Sequence, residues 1–121
     1  MRNNGRRTSR PRTYGELRRF VISEYRLVGI ETGKILYVEA LKDYVKIHVE
    51  GQEYPVLSLM SMKAIEEMLP AGQFLRVHKS YIVNKDKIDI IERGKIIFGD
   101  TAVPVGDNYR TEFAAFLKGK S

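Results

Sequence analysis

Three short segments of the 121-residue chain combine cations with side chains able to hydrogen-bond a base edge or a phosphate. The first is Lys42, Asp43 and Tyr44. The second runs from His78 through Lys79 and Ser80 to Asn84 and Lys85, and the third is Asp107, Asn108, Tyr109 and Arg110. Asn can bond adenine through both ends of its amide, Arg or Lys can bond guanine, and Ser, Tyr and Lys can hold phosphate oxygens. Each segment also has a plainer reading. Asn84 at a strand end is a turn residue satisfying its own backbone, and Arg110 in a first helical turn is a solvated side chain.

Catalytic chemistry finds no such foothold. An enzyme needs a nucleophile with its base, a carboxylate pair in a cleft, or a metal cluster. Cysteine is absent, which excludes a thiol nucleophile, a disulfide scaffold and every Cys-containing zinc site. His48 and His78 are the only histidines, fall in separate strand-like runs and show no metal-ligand spacing. His48 reads as a surface residue on a wet strand face, and His78 as a structural hydrogen-bonding group. No phosphate-cradling glycine loop or nucleophile elbow is present. The chain is therefore expected to be no enzyme, with no metal site and no cofactor.

The charge is unevenly placed. The formal net charge is +6, yet Arg2, Arg6, Arg7, Arg10, Arg12, Arg18 and Arg19 face only Glu16 within residues 1–19. The remaining 14 cations and 14 anions balance, so the excess belongs to an Arg-rich arm or linker over 1–19, followed by one domain over 20–121. A 43% hydrophobic content excludes general disorder, and no apolar run approaches the roughly 18 residues that span a bilayer. The expectation is a soluble, cytoplasmic protein without membrane association.

The elements that would position the three segments are mostly strands. Runs rich in β-branched and aromatic residues fall at 20–22 with 25–30, then 35–40, 44–49, 53–57, 74–77, 81–83, 88–91, 96–98 and 102–105. Gly51, Gly94 and Gly99 mark hairpin turns. Two helices interrupt them. Leu59, Met62, Ile65, Met68 and Leu69 share a face, with Ser61 as cap and Pro70 as stop; Tyr109, Phe113, Phe116 and Leu117 share another, with Asp107 as cap and Gly119 as terminator. Neither helix carries a basic face suited to a major groove, so loops would make any contact with DNA. The fold class is mainly β, about ten short antiparallel strands with two short helices. From the residues alone, a nucleic-acid binder and a non-catalytic β protein-interaction module with an incidental polyanion-binding arm both remain open.

The longer strings favour the first. Ile35 to Ala40 with Tyr44 to His48 resembles the opening signature of the LytTR DNA-binding domain family. Phe74, Leu75, Arg76, Val77, His78, Lys79, Ser80, Tyr81, Ile82, Val83, Asn84 resembles its second signature nearly throughout, and Val103, Pro104, Val105, Gly106 through Tyr109 its closing one. The resemblance spans roughly Phe20 to Leu117. It implies an elongated β domain whose loops enter successive major grooves, serving bacterial transcription regulators and often forming the output domain of two-component response regulators. The partners it implies are double-stranded DNA, commonly as direct repeats, a homodimer on DNA, and a receiver domain or histidine-kinase pathway not contained in these residues. Carried over by position, Asn84 is the first choice for a base contact, with Lys79 and Ser80 of the same motif as phosphate or base contacts; Lys85, just past the motif, is added as a further DNA-binding candidate. Lys42, Asp43 and Tyr44 occupy a DNA-reaching loop, with Asp43 where many relatives have Asn. Asn108 takes the closing segment's base-reading role, with Arg110 as its cation. Arg76 and His78 brace the second loop.

Overall fold

A computed structural model of the chain describes residues 30–120. The expected arm over 1–19, and the expected strands at 20–22 and 25–30 apart from Ile30, lie outside those residues. Within them the chain is mainly β, as the runs of branched and aromatic residues predict: β1 (Ile35–Leu41), β2 (Tyr44–Val49), β3 (Val56–Leu59), β4 (Phe74–His78), β5 (Tyr81–Asn84), β6 (Ile90–Glu92), β7 (Lys95–Phe98) and β8 (Thr101–Pro104). Helix α1 (Met62–Met68) follows β3, and α2 (Arg110–Lys120) follows β8. The described residues thus hold eight strands where about ten were expected of the whole chain.

Strands β1 to β5 form one antiparallel sheet in the order β3-β2-β1-β5-β4, and β6, β7 and β8 form a second in chain order. A register shift between Ile35 and Tyr37 breaks the two-residue alternation of β1. Without it, both side chains would share a face. Instead Ile35 and Val38 join Val45, Ile47, Val56 and Ile82 beneath α1, whereas Tyr37 joins Val83, Val77, Ile96, Phe98 and Val103 beneath the second sheet and Phe113 of α2. The large sheet therefore has an apolar core on each face.

The short elements follow from local chemistry. Ser61 caps α1, its Oγ accepting from the Ala64 N–H at 3.0 Å, and Leu69 leaves helical geometry because Pro70 follows it. A seven-residue helix cannot stand alone in water. Burial of Met62, Ile65 and Leu69 holds it, each fully buried apolar side chain contributing about 1.5–3 kcal/mol. The β6–β7 turn is Arg93-Gly94, both at positive φ (53° and 76°), the backbone of the tight hairpin turn that the glycine predicts.

Several boundaries differ from expectation. Strand β3 starts at Val56 because Pro55 lacks the N–H a paired strand would use. A 3-10 turn over Lys85–Lys87 delays β6 to Ile90. Asp107 does not cap the last helix. It sits inside a 3-10 turn (Asp107–Tyr109) preceded by Gly106, and α2 then runs through Gly119 rather than ending there.

Candidate nucleic-acid interface

The β1–β2 hairpin closes on the pair Leu41 and Tyr44, leaving Lys42 and Asp43 at its tip. Lys42 has φ +54°, a left-handed conformation that glycine usually fills; a side chain there costs about 1–2 kcal/mol. Lys42, Asp43 and Tyr44 are all exposed. This hairpin lies beside a second one, because β1 also pairs with β5 and the Ala40 N–H donates to the Ser80 carbonyl at 2.9 Å.

The β4–β5 turn, Lys79-Ser80, is held from two sides. The Arg76 guanidinium donates to the carbonyls of His78 (3.3 Å) and Lys79, and also to Glu66 of α1 at 3.0 Å. From the other side the Ser80 N–H donates to His78 Nδ1 at 3.0 Å, which places the proton of the neutral ring on Nε2. Lys79 is left with its ammonium exposed on a fixed backbone. The expected bracing role of Arg76 and His78 matches these bonds.

The third segment reaches the same place from the second sheet. The Gly106 N–H donates to the Val77 carbonyl at 2.7 Å, and a β-carbon on Gly106 would stand 3.4 Å from the His78 ring and 3.2 Å from that of Tyr109. The chain therefore passes close against the His78 turn before exposing Asp107, Asn108 and Arg110. Arg110 and Asp107 pair at 3.2 Å, with side chains 71% and 89% exposed, so solvent screens the pair strongly. Sheet register thus sets Lys42, Asp43 and Tyr44 beside Lys79 and Ser80, and the Gly106 to Val77 bond brings the start of the segment that carries Asn108 and Arg110 to the His78 turn.

Asn84 and Lys85 are not with them. Asn84 ends β5 opposite Phe74, about 10 Å of strand away from the turn. It is fully buried: its Nδ2 donates to the Ile35 carbonyl at 2.8 Å, and its Oδ1 accepts from the Asp86 N–H at 3.0 Å. No edge of the amide remains free for a base, so the expected base contact gives way to the plainer reading of a turn residue. Lys85 leans over the Phe116 ring of α2, its Nζ 5.5 Å from the centroid, and likewise faces away from the three loops.

The sequence profile of the LytTr DNA-binding domain matches residues 25–118. The chain belongs to that family. A relative, the sensory transduction protein LytT of Enterococcus faecalis, is 29% identical over 96 residues, which cover 74% of this chain and 39% of the relative's length. A solved LytTr DNA-binding domain from Bacillus cereus is 26% identical with a TM-score of 0.62, the match covering 73% of this chain and 84% of that one. The family is a DNA-binding, non-catalytic one.

Two features of this LytTr domain escape a reading of its signatures. Glu66 lies outside them, and only the folded chain brings it to Arg76. His48 is no plain surface residue. Its ring stacks on Tyr37 at 4.1 Å between centroids, and its Nε2 bonds Glu39 at 3.1 Å. Burial lowers its pKa below the usual 6.5, with Glu39 opposing that shift. Burial also raises the phenols of Tyr37 and Tyr81, with the Glu39 charge adding to both. The alternation of β2 correctly puts His48 opposite Ile47, but it could not reveal that a second sheet covers part of that face.

Proposed function

We propose that this LytTr domain reads double-stranded DNA by sequence, entering the major groove through the β1–β2 tip, the Lys79-Ser80 turn and the Asp107–Arg110 segment, as part of a cytoplasmic transcription regulator. The observation that supports this reading is the convergence of three polar loops, the first joined to the second by the Ala40 to Ser80 bond and the third to the second by the Gly106 to Val77 bond. Lys42, Lys79 and Arg110 supply cations there, Asn108 and Ser80 supply neutral hydrogen-bonding groups, and Asp43 and Asp107 keep the net charge of the end low. Affinity then rests on a few placed contacts, and discrimination on the base edges they meet. No helix among the described residues is long and apolar enough to cross a membrane.

The domain serves as the output module of a two-component response regulator and binds direct repeats as two copies. The Arg-rich segment 1–19 adds salt-sensitive affinity that does not depend on sequence, since phosphate contacts carry no base information. Selection of duplexes from a random pool by the full chain at fixed salt tests the reading. It should yield a defined motif, repeated in one orientation. Retention of DNA with no sequence preference would leave only polyanion affinity and restore the protein-interaction reading.

A further inference from the structure

The β1–β2 tip places a carboxylate on the proposed DNA-reading end. Asp43 is exposed, and among the described residues no ion pair neutralises it. Beside it runs an apolar row: Leu41 pairs with Tyr44 and Tyr44 with Leu59, and the three keep 45%, 40% and 45% of their surface open. A two-stranded ribbon of this kind fits a major groove. Docking the row would strip water from the adjacent carboxylate, and an unpaired carboxylate that loses its water is heavily penalised. Phosphates repel it as well. The docked tip therefore tolerates Asp43 only where a base donates to it.

The major groove offers two such donors, the N4 amino group of cytosine and the N6 amino group of adenine. The adenine group stands next to N7, whose lone pair would face the same carboxylate, whereas cytosine has no acceptor on that side. Guanine and thymine present acceptors only. We infer that Asp43 is a specificity-determining residue that accepts a hydrogen bond from the N4 amino group of a cytosine. This rests on the proposed reading of the same end of the sheet as the DNA-contacting one. Lys42, its neighbour at the tip, offsets the charge toward the backbone phosphates.

Aspartate is also at home in a tight turn, and the test separates the two roles. Asp43→Asn keeps the size and turn preference but replaces an acceptor by an amide, whose preferred partner is adenine. The full chain and the variant are each taken through the random-duplex selection. The parent should select cytosine at one position of its motif, and the variant should lose that preference by about tenfold to a hundredfold, shifting toward adenine, with the rest of the motif retained. A second arm uses the parent alone, with that cytosine replaced by N4-methylcytosine, which keeps base pairing but removes the groove-facing donor; affinity should fall by a similar factor. An identical motif from parent and variant, or indifference to the methyl group, overturns the assignment while leaving the DNA-reading function in place. Failure of the parent to select any motif overturns both.

Discussion

Replacing Asn84 by Leu, which has the same branched skeleton of side-chain heavy atoms but no polar atom, distinguishes a structural amide from a base-reading one. The substitution orphans the Ile35 carbonyl, which receives a 2.8 Å bond in a buried setting, and the Asp86 N–H, which donates a 3.0 Å bond in a half-buried one, and it also removes a longer 3.5 Å bond to the Gly33 carbonyl. Leaving a buried polar group unsatisfied costs about 1–3 kcal/mol, and the partly wetted Asp86 group belongs at the low end, so the sum is roughly 2–4 kcal/mol. That is a large share of the roughly 5–15 kcal/mol that stabilises a typical domain. With a urea dependence of about 2 kcal/mol per M, the unfolding midpoint should fall by roughly 1–2 M. Circular dichroism during urea titration measures it. At temperatures where the variant remains folded, its affinity for a selected duplex should match the parent's, because Asn84 lies a strand length from the turn. An unchanged midpoint with a loss of specific binding would refute this reasoning and return Asn84 to the interface.

Lys79→Ala should weaken binding to specific and non-specific DNA alike and make the dependence of log affinity on log salt shallower by about one; an unchanged slope would mean that Lys79 meets no phosphate. Arg76→Lys keeps the charge but cannot serve Glu66 and two carbonyls at once, so DNA affinity should drop several-fold while the urea midpoint moves little. Parent-like binding by that variant would show that the turn needs no such brace. Because burial lowers the His48 pKa, the native state binds its proton more weakly than the unfolded chain does. The resulting stability is fully present above pH 6.5 and is lost as pH falls through the lowered value. His48→Gln should therefore lose less stability than the parent between pH 7 and 5, and parallel pH profiles would contradict this. Lys42→Gly relieves the left-handed strain, so it should hold or raise stability by up to about 1 kcal/mol while reducing DNA affinity; lower stability would mean that the tip is unstrained.

Residues whose role depends on near neighbours were legible in the sequence. Ser61 three residues before Ala64, the apolar spacing of Met62 and Ile65, and Gly94 in a two-residue loop all specify local geometry, and the folded chain follows them. The loops at 42–44 and 79–80 could likewise be located because each joins two periodic strands. What periodicity could not express was the irregular register. The shift at Leu36 sends Ile35 and Tyr37 into different cores, which no count of two predicts. Asn84 departs from expectation for a related reason: its signature position says that the side chain matters, whereas its burial, set by the distant Ile35 carbonyl, says how. Lys85 adjoins Asn84 in the sequence, and no local pattern shows that it packs over the Phe116 ring. The Arg76–Glu66 pair joins a strand to a helix and leaves no local trace in the chain.

Strand β1 is the middle strand of the large sheet, and one of its two neighbours, β5, arrives only after the whole of β2, β3, α1 and β4 has been made. The Asn84 to Ile35 bond alone spans 49 residues. Pairing over such separations pays its loop-closure entropy before any contact compensates, which makes it a slow, late event in folding. Two of the three loops proposed to read DNA are aligned by that event, because the Ala40 to Ser80 bond forms only when β5 docks. Until β5 docks on β1, the β1–β2 and β4–β5 turns have no fixed relation to each other. Under the proposed reading, recognition of a DNA sequence by both loops together therefore requires the completed sheet.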